Sequence, residues 1–575
     1  MKILGINAAF HDSAACLAID GAVVAAAEEE RFTRVKHHKR ARPFSSYALP
    51  YFAIDYLLKA ARLRLCDVDR VAYSFDPYPL TRKAGAQSFT LPVDDSQAKG
   101  RRMFDPWQTV FLAGITEAVR GLLEDAPWSV QETIGRQDLH RWSFHFVPHH
   151  QAHAASAFFP SPFPKAAVMS IDGYGGDACS AYFLGEGSAL HALGQVELPH
   201  SLGLLYELTT NYLGFLGSSD EYKVMAMAAY GKPAYRDVFR GLITMGERGQ
   251  YRIQAPLVLG ARLGPERKRH EPIDQRHYDI ACSLQTVLEE TVLEIAAWLR
   301  HETQAEHLCF AGGVAMNCVL NSKLRRSGLF ADVWVPPAAG DAGTALGAAL
   351  LLEANENPAA ARTYVMQDAY LGPGFTDSEV EALLREARVP HRRLTNVPRD
   401  VAALLAAQRV VAWMQGRMEF GPRALGARSL LAAANDPGMR ERLNEVKGRE
   451  QFRPVAPVVP EESAACWFDV AGPSPFMTFV EKVRPECLSR IPAAAHVDGT
   501  ARLQTVSRCA NPLLHDLLNA FGELTGAPVL INTSFNVRQE PIACTLRDAL
   551  AAFYTSPIDD LIVGSYHVLK PEQIV

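Results

Sequence analysis

The chain opens twice in the same way, and that repetition constrains its fold more than any other feature. Lys2–Asn7 reads as a short apolar strand, a polar turn runs through His11, and Ala14–Ile19 forms a second apolar run. Asp20-Gly21 then separates it from a third run at 22–27, and Asp-Gly between apolar runs is a strong hairpin signal. Residues 168–187, VMSIDGYGGDACSAYFLGEG, repeat the plan of strand, polar and glycine turn, strand and Gly-containing hairpin. An apolar sheet face must be covered, so each copy needs helices behind it. The first copy has a helical pattern at 46–65 and a strand at 145–148 that runs into HHQAHAASAFF, a helix at 149–159. The second continues through a long helix at about 278–302, a strand at 308–311, Gly312-Gly313, a helix, a strand at 333–335 and a helix at 343–352.

Paired α/β halves of this kind are the pattern of actin/Hsp70/sugar-kinase folds, in which nucleotide sits in the cleft between halves. The 575 residues exceed what one core supports, at ~150 residues per domain. EANENPAAARTYVMQDAY, around 353–370, reads as a linker, and beyond it helix and strand alternate again with many arginines between Arg417 and Arg453. The expected organisation is therefore a first domain at 1–355, a linker at 356–369 and a second α/β domain at 370–575. No low-complexity stretch or short solenoid repeat is present.

Composition narrows the class. Apolar residues at 48% and charged residues at 21% exclude a disordered chain. A net charge of −5 gives no support to a general nucleic-acid or membrane-surface binder. Ten cysteines without a CxxC pair suit buried thiols in a reducing compartment. No apolar run reaches ~18 residues, and Asp12 and Asp20 interrupt any signal-peptide core. A cytoplasmic enzyme is the expectation.

Three constellations carry chemistry. His149 and His153 are four apart, so a helix puts both imidazoles on one face, while His150 points elsewhere. Asp172 ends a strand and Asp341 precedes a helix, where α/β folds place ligand sites. Two His and two carboxylates suit Fe²⁺, Mn²⁺ or Zn²⁺. The alternative reading is a surface helix bearing histidines, with aspartates that cap turns. FAGGVAMN places Gly312 and Gly313 between strand and helix, where backbone can approach an anion, and Gly203 in SLGLLYE could serve similarly. Tight packing explains such glycines equally well. In the second domain, Arg423, Arg428, Lys447, Arg449, Arg453 and Arg502 sit near glycine or proline, and INTSFN adds Asn532, Thr533 and Ser534. Guanidinium forks with a lysine point charge suit a polyanionic pair of phosphorylated ligands, and a solvated basic face is the alternative. The basic stretch 31–42 reads mostly as a solvated loop, in which Lys36 could face a phosphate or carbonyl.

GINAAFHDSAA, EEERFTRVKH, HHQAHAASAF, SIDGYGGD, SLGLLYE, EYKVMAMAAYG, FAGGVAMN, VPPAAGDAGTALGAA, QGRMEFGPRALGARSLLA, FRPVAPVV and INTSFN together resemble the O-carbamoyltransferase family of antibiotic and nodulation-factor biosynthesis. The resemblance implies a first domain similar to tRNA threonylcarbamoyl transferase and a second similar to threonylcarbamoyl-adenylate synthase. It implies that the second domain makes carbamoyl-adenylate from carbamoyl phosphate and ATP, with Mg²⁺, and that the first passes the carbamoyl group to a small-molecule hydroxyl. By motif position His11 falls on the general base, and His149, His153, Asp172 and Asp341 fall on the iron ligands. Lys36, Asp172, Gly203, Glu207, Gly313 and Asn317 fall on substrate and adenylate contacts. Arg423, Lys447, Arg453, Arg502, Asn532 and Ser534 fall on the ATP and carbamoyl phosphate site. The acceptor stays unassigned, a homodimer is the expected assembly, and neither nucleic acid nor membrane is an expected partner. A tRNA-modifying transferase of the same fold and a sugar kinase-like ATPase are the competing readings; the second leaves the arginine-rich domain without a role.

Overall fold

The computed structural model describes residues 1–38, 49–76, 143–254, 259–359, 362–537 and 540–570. Two compact units emerge: Met1–Thr33 with His37–Met366, and Arg34–Lys36 with Gln367–Val575.

The first unit holds two five-stranded sheets of identical plan. One runs in the order Ala22–Glu28, Ala14–Ile19, Lys2–Asn7, Arg70–Tyr73, Ser143–Phe146. The other runs Ala189–Glu197, Ala178–Glu186, Lys165–Gly175, His307–Ala311, Asp332–Trp334. In each, three antiparallel strands meet two that continue in parallel, so the duplicated opening is a duplicated sheet. The mixed α/β architecture is the duplicated actin- and sugar-kinase-like one. The third strand of the second copy, ALHALGQVE, mixes apolar and polar residues and is exposed or half-exposed apart from Val196.

Helix positions follow the pattern, with shifted ends. Tyr51–Ala61 occupies the middle of the 46–65 pattern, whose first residues lie outside the described ones. The long helix is Gln275–Thr303, capped by Asp274. After Gly312 the chain makes a 3₁₀ turn, and the helix Cys318–Arg326 starts only at Asn317, whose side chain accepts from the Leu320 amide. Helix Ala342–Glu356 is buried along most of its length and built from Ala, Gly and Leu. A Cβ on Gly5 would lie 1.9 Å from the Ala345 carbonyl oxygen, and one on Gly347 1.8 Å from that of Ala152. Hydrogen at these positions lets the helix seat directly on strand Lys2–Asn7 and helix His149–Phe158. This seating brings Asp341, at the helix start, to the histidine face.

The expected linker at 356–369 begins in the last turn of that helix. Arg362 donates to the carbonyls of Phe158 and Phe163, and the Met366 amide donates to Pro160, all within the first unit. The second unit is built on an eight-stranded mixed sheet: His391–Arg393, Tyr566–Val568, Asp560–Val563, Val411–Met414, Arg428–Ala433, Leu530–Ser534, Ala456–Pro460, Gln504–Val506; Phe468–Asp469, Glu481–Val483 and Thr500–Ala501 form a small sheet of their own. Helices Val397–Ala406 and Pro512–Thr525 pack together over one face, where Val411, Trp413, Leu431 and Leu530 are buried. Ala412, Met414 and Leu430 point to the opposite face against Leu546–Tyr554.

Candidate active site

In the first unit His149, His153, Asp172 and Asp341 come together, with 2, 0, 7 and 2% of their surfaces exposed. The surface-helix reading is thereby excluded. One ligand atom from each residue lies within 4.8 Å of all the others. The two Nε2 atoms are 3.0 Å apart, Asp172 Oδ2 is 3.0 Å from His153 Nε2 and 3.4 Å from His149 Nε2, and Asp341 Oδ1 is 3.4 and 3.7 Å from the same atoms. Among the described residues Asp341 Oδ1 has no hydrogen-bond partner although it is buried. Burial opposes a charged His153, yet its hydrogen bond to Asp172 and the nearby Asp341 carboxylate overcome it and raise its pKa to about 9, so the pocket favours positive charge. Borderline nitrogen and hard oxygen donors converging on one point fit a divalent transition-metal ion.

The surroundings fix these ligands. Asp172 Oδ1 accepts the amides of Gly173 at 2.8 Å and Gly313 at 3.0 Å, leaving Oδ2 for the histidines. Burial alone would raise the Asp172 carboxyl; hydrogen bonds from His149 and His153 hold it well below the usual range. Gly203 opens helix Leu202–Tyr212 against the strand end, where a Cβ would meet the Asp172 carbonyl oxygen at 2.6 Å. His150 indeed points away: its Nδ1 lies 2.8 Å from Ser170 Oγ, and burial pushes its pKa down to about 3. Phe10 stands edge-on to His149, Phe75 and Tyr174, with ring centroids 5.1 to 5.3 Å away.

His11 lies beside this cluster, its Nδ1 3.8 Å from Asp341 Oδ2 and 3.0 Å from Asp12 Oδ2. Glu207 is half-buried and accepts from Ser218 Oγ at 2.7 Å. Asn317 caps its helix and exchanges side-chain hydrogen bonds with Gln285, at 2.8 and 3.2 Å, which occupies much of its amide. Lys36 belongs to the second unit. Its neighbour Arg34 anchors there, donating to the carbonyls of Pro541 and Ile542.

In the second unit Lys447 is buried at the end of helix Met439–Val446, with Nζ 3.0 Å from Ser534 Oγ and 2.7 Å from Asn536 Oδ1. Burial first, then the charges of Arg449, Arg453 and Lys36, hold its ammonium well below the ordinary lysine value. Asn532 and Ser534 share one face of strand Leu530–Ser534, being two apart. Asn532 donates to the Ala424 carbonyl at 3.1 Å and to Gln504 Oε1 at 2.7 Å, which ties it to the loop bearing Arg423. That loop is pinned by Glu419, whose Oε1 accepts the amides of Leu425, Ala427 and Arg428. Arg453 pairs with Glu450 at 3.5 Å, and Arg502 is half-buried just after strand Thr500–Ala501. Arg428 is a structural member: fully buried, it donates to the carbonyls of Gln415, Ala427, Pro373 and Gly416.

The carbamoyltransferase N-terminal family model matches residues 2–350, and the C-terminal model matches 402–570. The chain belongs to the carbamoyltransferase family. Nodulation protein NolNO of Sinorhizobium fredii is 40% identical over 582 residues, covering 98% of this chain and 80% of that protein. Nodulation protein NolO of Bradyrhizobium diazoefficiens is 42% identical over 438 residues, covering 73% and 78%. An uncharacterised protein of Synechocystis sp. is 38% identical over 626 residues, covering 99% and 97%. The family is one of carbamoyl transfer. In this carbamoyltransferase, sequence reasoning passed over Glu419 and Gln504, and over three buried side chains behind Asp341: Thr344, which donates to the Asp341 carbonyl, Ser74, 2.8 Å from Thr344 Oγ1, and Asn7, which accepts from Ser74. Asn7, Thr344 and Glu419 stand inside stretches already singled out, GINAAFHDSAA, VPPAAGDAGTALGAA and QGRMEFGPRALGARSLLA.

Proposed function

We propose that the chain is an ATP-dependent O-carbamoyltransferase working in two steps. In the second domain, 370–575, carbamoyl phosphate, ATP and water give carbamoyl-adenylate, pyrophosphate and phosphate. Arg423, Lys447, Arg453, Arg502, Asn532 and Ser534 bind the two anions, with Mg²⁺ accompanying ATP. In the first domain, 1–355, the acceptor oxygen bonds to the carbamoyl carbon, the bond from that carbon to the adenylate oxygen breaks, and AMP leaves. His11 takes the hydroxyl proton, as an imidazole with a near-neutral pKa can. His149, His153, Asp172 and Asp341 hold the metal, which we assign as Fe²⁺ over Mn²⁺ or Zn²⁺; when bound, it supplies positive charge to the leaving phosphate. Gly203, Glu207, Gly313 and Asn317 serve as substrate and adenylate contacts. The acceptor is a hydroxyl of a small natural product, and the enzyme acts in the cytoplasm as a homodimer. Among the described residues no helix is long and apolar enough to cross a membrane.

The observation that carries this reading is the His11 imidazole 3.8 Å from Asp341 of the buried four-ligand cluster. The test is pyrophosphate release by the purified protein with ATP, with and without carbamoyl phosphate, followed by a mass-shift screen of sugar and polyol hydroxyls. Release that depends on carbamoyl phosphate, with a carbamoyl mass increment on an acceptor, is the expected outcome. Release independent of carbamoyl phosphate would remove the reading.

A further inference from the structure

Asp12 sits between two imidazoles. Its Oδ2 lies 3.0 Å from His11 Nδ1 and its Oδ1 2.8 Å from His37 Nδ1. The backbone is built to present it so. Asp12 has φ 51°, a left-handed conformation rare outside Gly, Asn and Asp. Its amide donates to the His37 carbonyl at 3.0 Å, while Asn7 Nδ2 donates to the carbonyls of His11 and Asp12, both at 3.0 Å. His37 is left-handed as well, at φ 57°, and its amide donates to Glu30 Oε2 at 2.6 Å.

A buried chain then ties this turn to the ligand cluster. Asn7 Oδ1 accepts from Ser74 Oγ at 3.1 Å, Thr344 Oγ1 lies 2.8 Å from Ser74 Oγ, and Thr344 donates to the Asp341 carbonyl at 2.6 Å. Asn7, Ser74 and Thr344 are each 0% exposed. The turn that bears His11 is therefore indexed to Asp341 by fully buried side chains.

We propose that Asp12 is the positioning residue of the transfer site: its two carboxylate oxygens take the Nδ1–H of His11 and of His37. Both rings then carry their lone pair on Nε2. A carboxylate can serve two donors at once because it has only acceptor sites. A carboxamide in its place cannot, since it offers one accepting oxygen and one donating nitrogen. In Asp12→Asn one ring must therefore move its proton to Nε2 or lose its bond, and for His11 this removes the lone pair that receives the acceptor's proton. Asparagine tolerates the left-handed backbone and matches the shape, so the substitution isolates the hydrogen-bond pattern.

The inference rests on the reading of His11 as the base of transfer, but its test needs no substrate. Nitrogen-15 spectra of histidine-labelled protein, loaded with diamagnetic Zn²⁺ at mildly alkaline pH, distinguish the two neutral tautomers directly. His11→Asn and His37→Asn samples assign the two residues. We expect both rings of the wild type protonated on Nδ1, and one of them changed in Asp12→Asn. An Nε2–H tautomer at either ring of the wild type would overturn the proposal, and so would an Asp12→Asn spectrum in which both rings keep the Nδ1–H tautomer and the hydrogen-bonded Nδ1 shift of the wild type. The wild-type spectrum decides even if the variant does not fold. Absence of carbamoyl transfer with the expected tautomers would count against the proposed function alone.

Discussion

Asp172 Oδ1 accepts the Gly313 amide at 3.0 Å, so the carboxylate turns its other oxygen to His153, also at 3.0 Å. A backbone turn after one strand thus aims a ligand at the end of the neighbouring strand, Lys165–Gly175 being paired with His307–Ala311.

A Cβ on Gly313 would stand 2.6 Å from Asp172 Oδ1. Gly313→Ala is expected to twist the carboxylate and weaken metal binding by about 10- to 100-fold, as loss of an outer-shell partner does. Metal titration of the variant checks this. His153→Ala is expected to lose about one equivalent of bound metal by elemental analysis, and equal metal in wild type and variant would refute the cluster as the site.

His11→Asn is expected to slow carbamoyl transfer by ~10²–10⁴-fold, the usual contribution of a positioned base. Carbamoyl-adenylate formation takes no proton from the acceptor and should stay near wild type. Both steps are measured on one preparation whose circular dichroism is native. Transfer within about threefold of wild type would make His11 a turn residue only.

Arg453→Ala is expected to lower pyrophosphate release by about 30- to 1,000-fold, since loss of a charged contact in a desolvated site costs about 2–4 kcal/mol. Transfer from supplied carbamoyl-adenylate should survive. Equal loss of both activities would contradict two separate stations.

Lys447 offers a proton-coupled signature. Because its pKa is lowered in the folded chain, the unfolded state binds more protons between that lowered value and the ordinary one. Stability therefore rises with pH across that interval, and the penalty is gone above the ordinary lysine value. An anion bound beside Nζ restores its charge and draws in a proton. Calorimetry with ATP in two buffers of different ionisation heat, on the alkaline side of neutrality, should show proton uptake in wild type and none in Lys447→Met.

Gly347→Ala tests the seating of helix Ala342–Glu356. The added Cβ would lie 1.8 Å from the Ala152 oxygen and 2.7 Å from the Ser156 nitrogen, both backbone atoms. We expect destabilisation of at least about 1–3 kcal/mol in denaturant unfolding, the usual cost of overpacking.

Much of the first unit was legible because its signals are local. Asp20-Gly21 marked a hairpin that pairs Ile19 with Ala22, and the spacing of His149 and His153 put their rings on one face. The third strand Ala189–Glu197 lies beyond the repeated 168–187 stretch, and its mixed residues are exposed or half-exposed apart from Val196, so burial against a core does not mark it. The segment around Lys36 escapes local reading for another reason: it lies near the start of the chain yet belongs to the second unit, held there through Arg34, and nothing in its own composition says so.

By itself the sequence determined the repeated strand plan, the helical pairing of His149 with His153 and the cationic residues beyond Arg417. Turn chemistry and side-chain periodicity act over a few residues and can be read there. Only the tertiary structure decided that Asp172 and Asp341 meet those histidines, that Asp12 serves both His11 and His37, and that Arg428 holds backbone carbonyls while Lys447 stays buried beside Ser534. These contacts depend on which surfaces pack closely enough. Here that closeness is set by missing Cβ atoms at Gly5, Gly203, Gly313 and Gly347, each pressed against an atom contributed by a distant part of the chain.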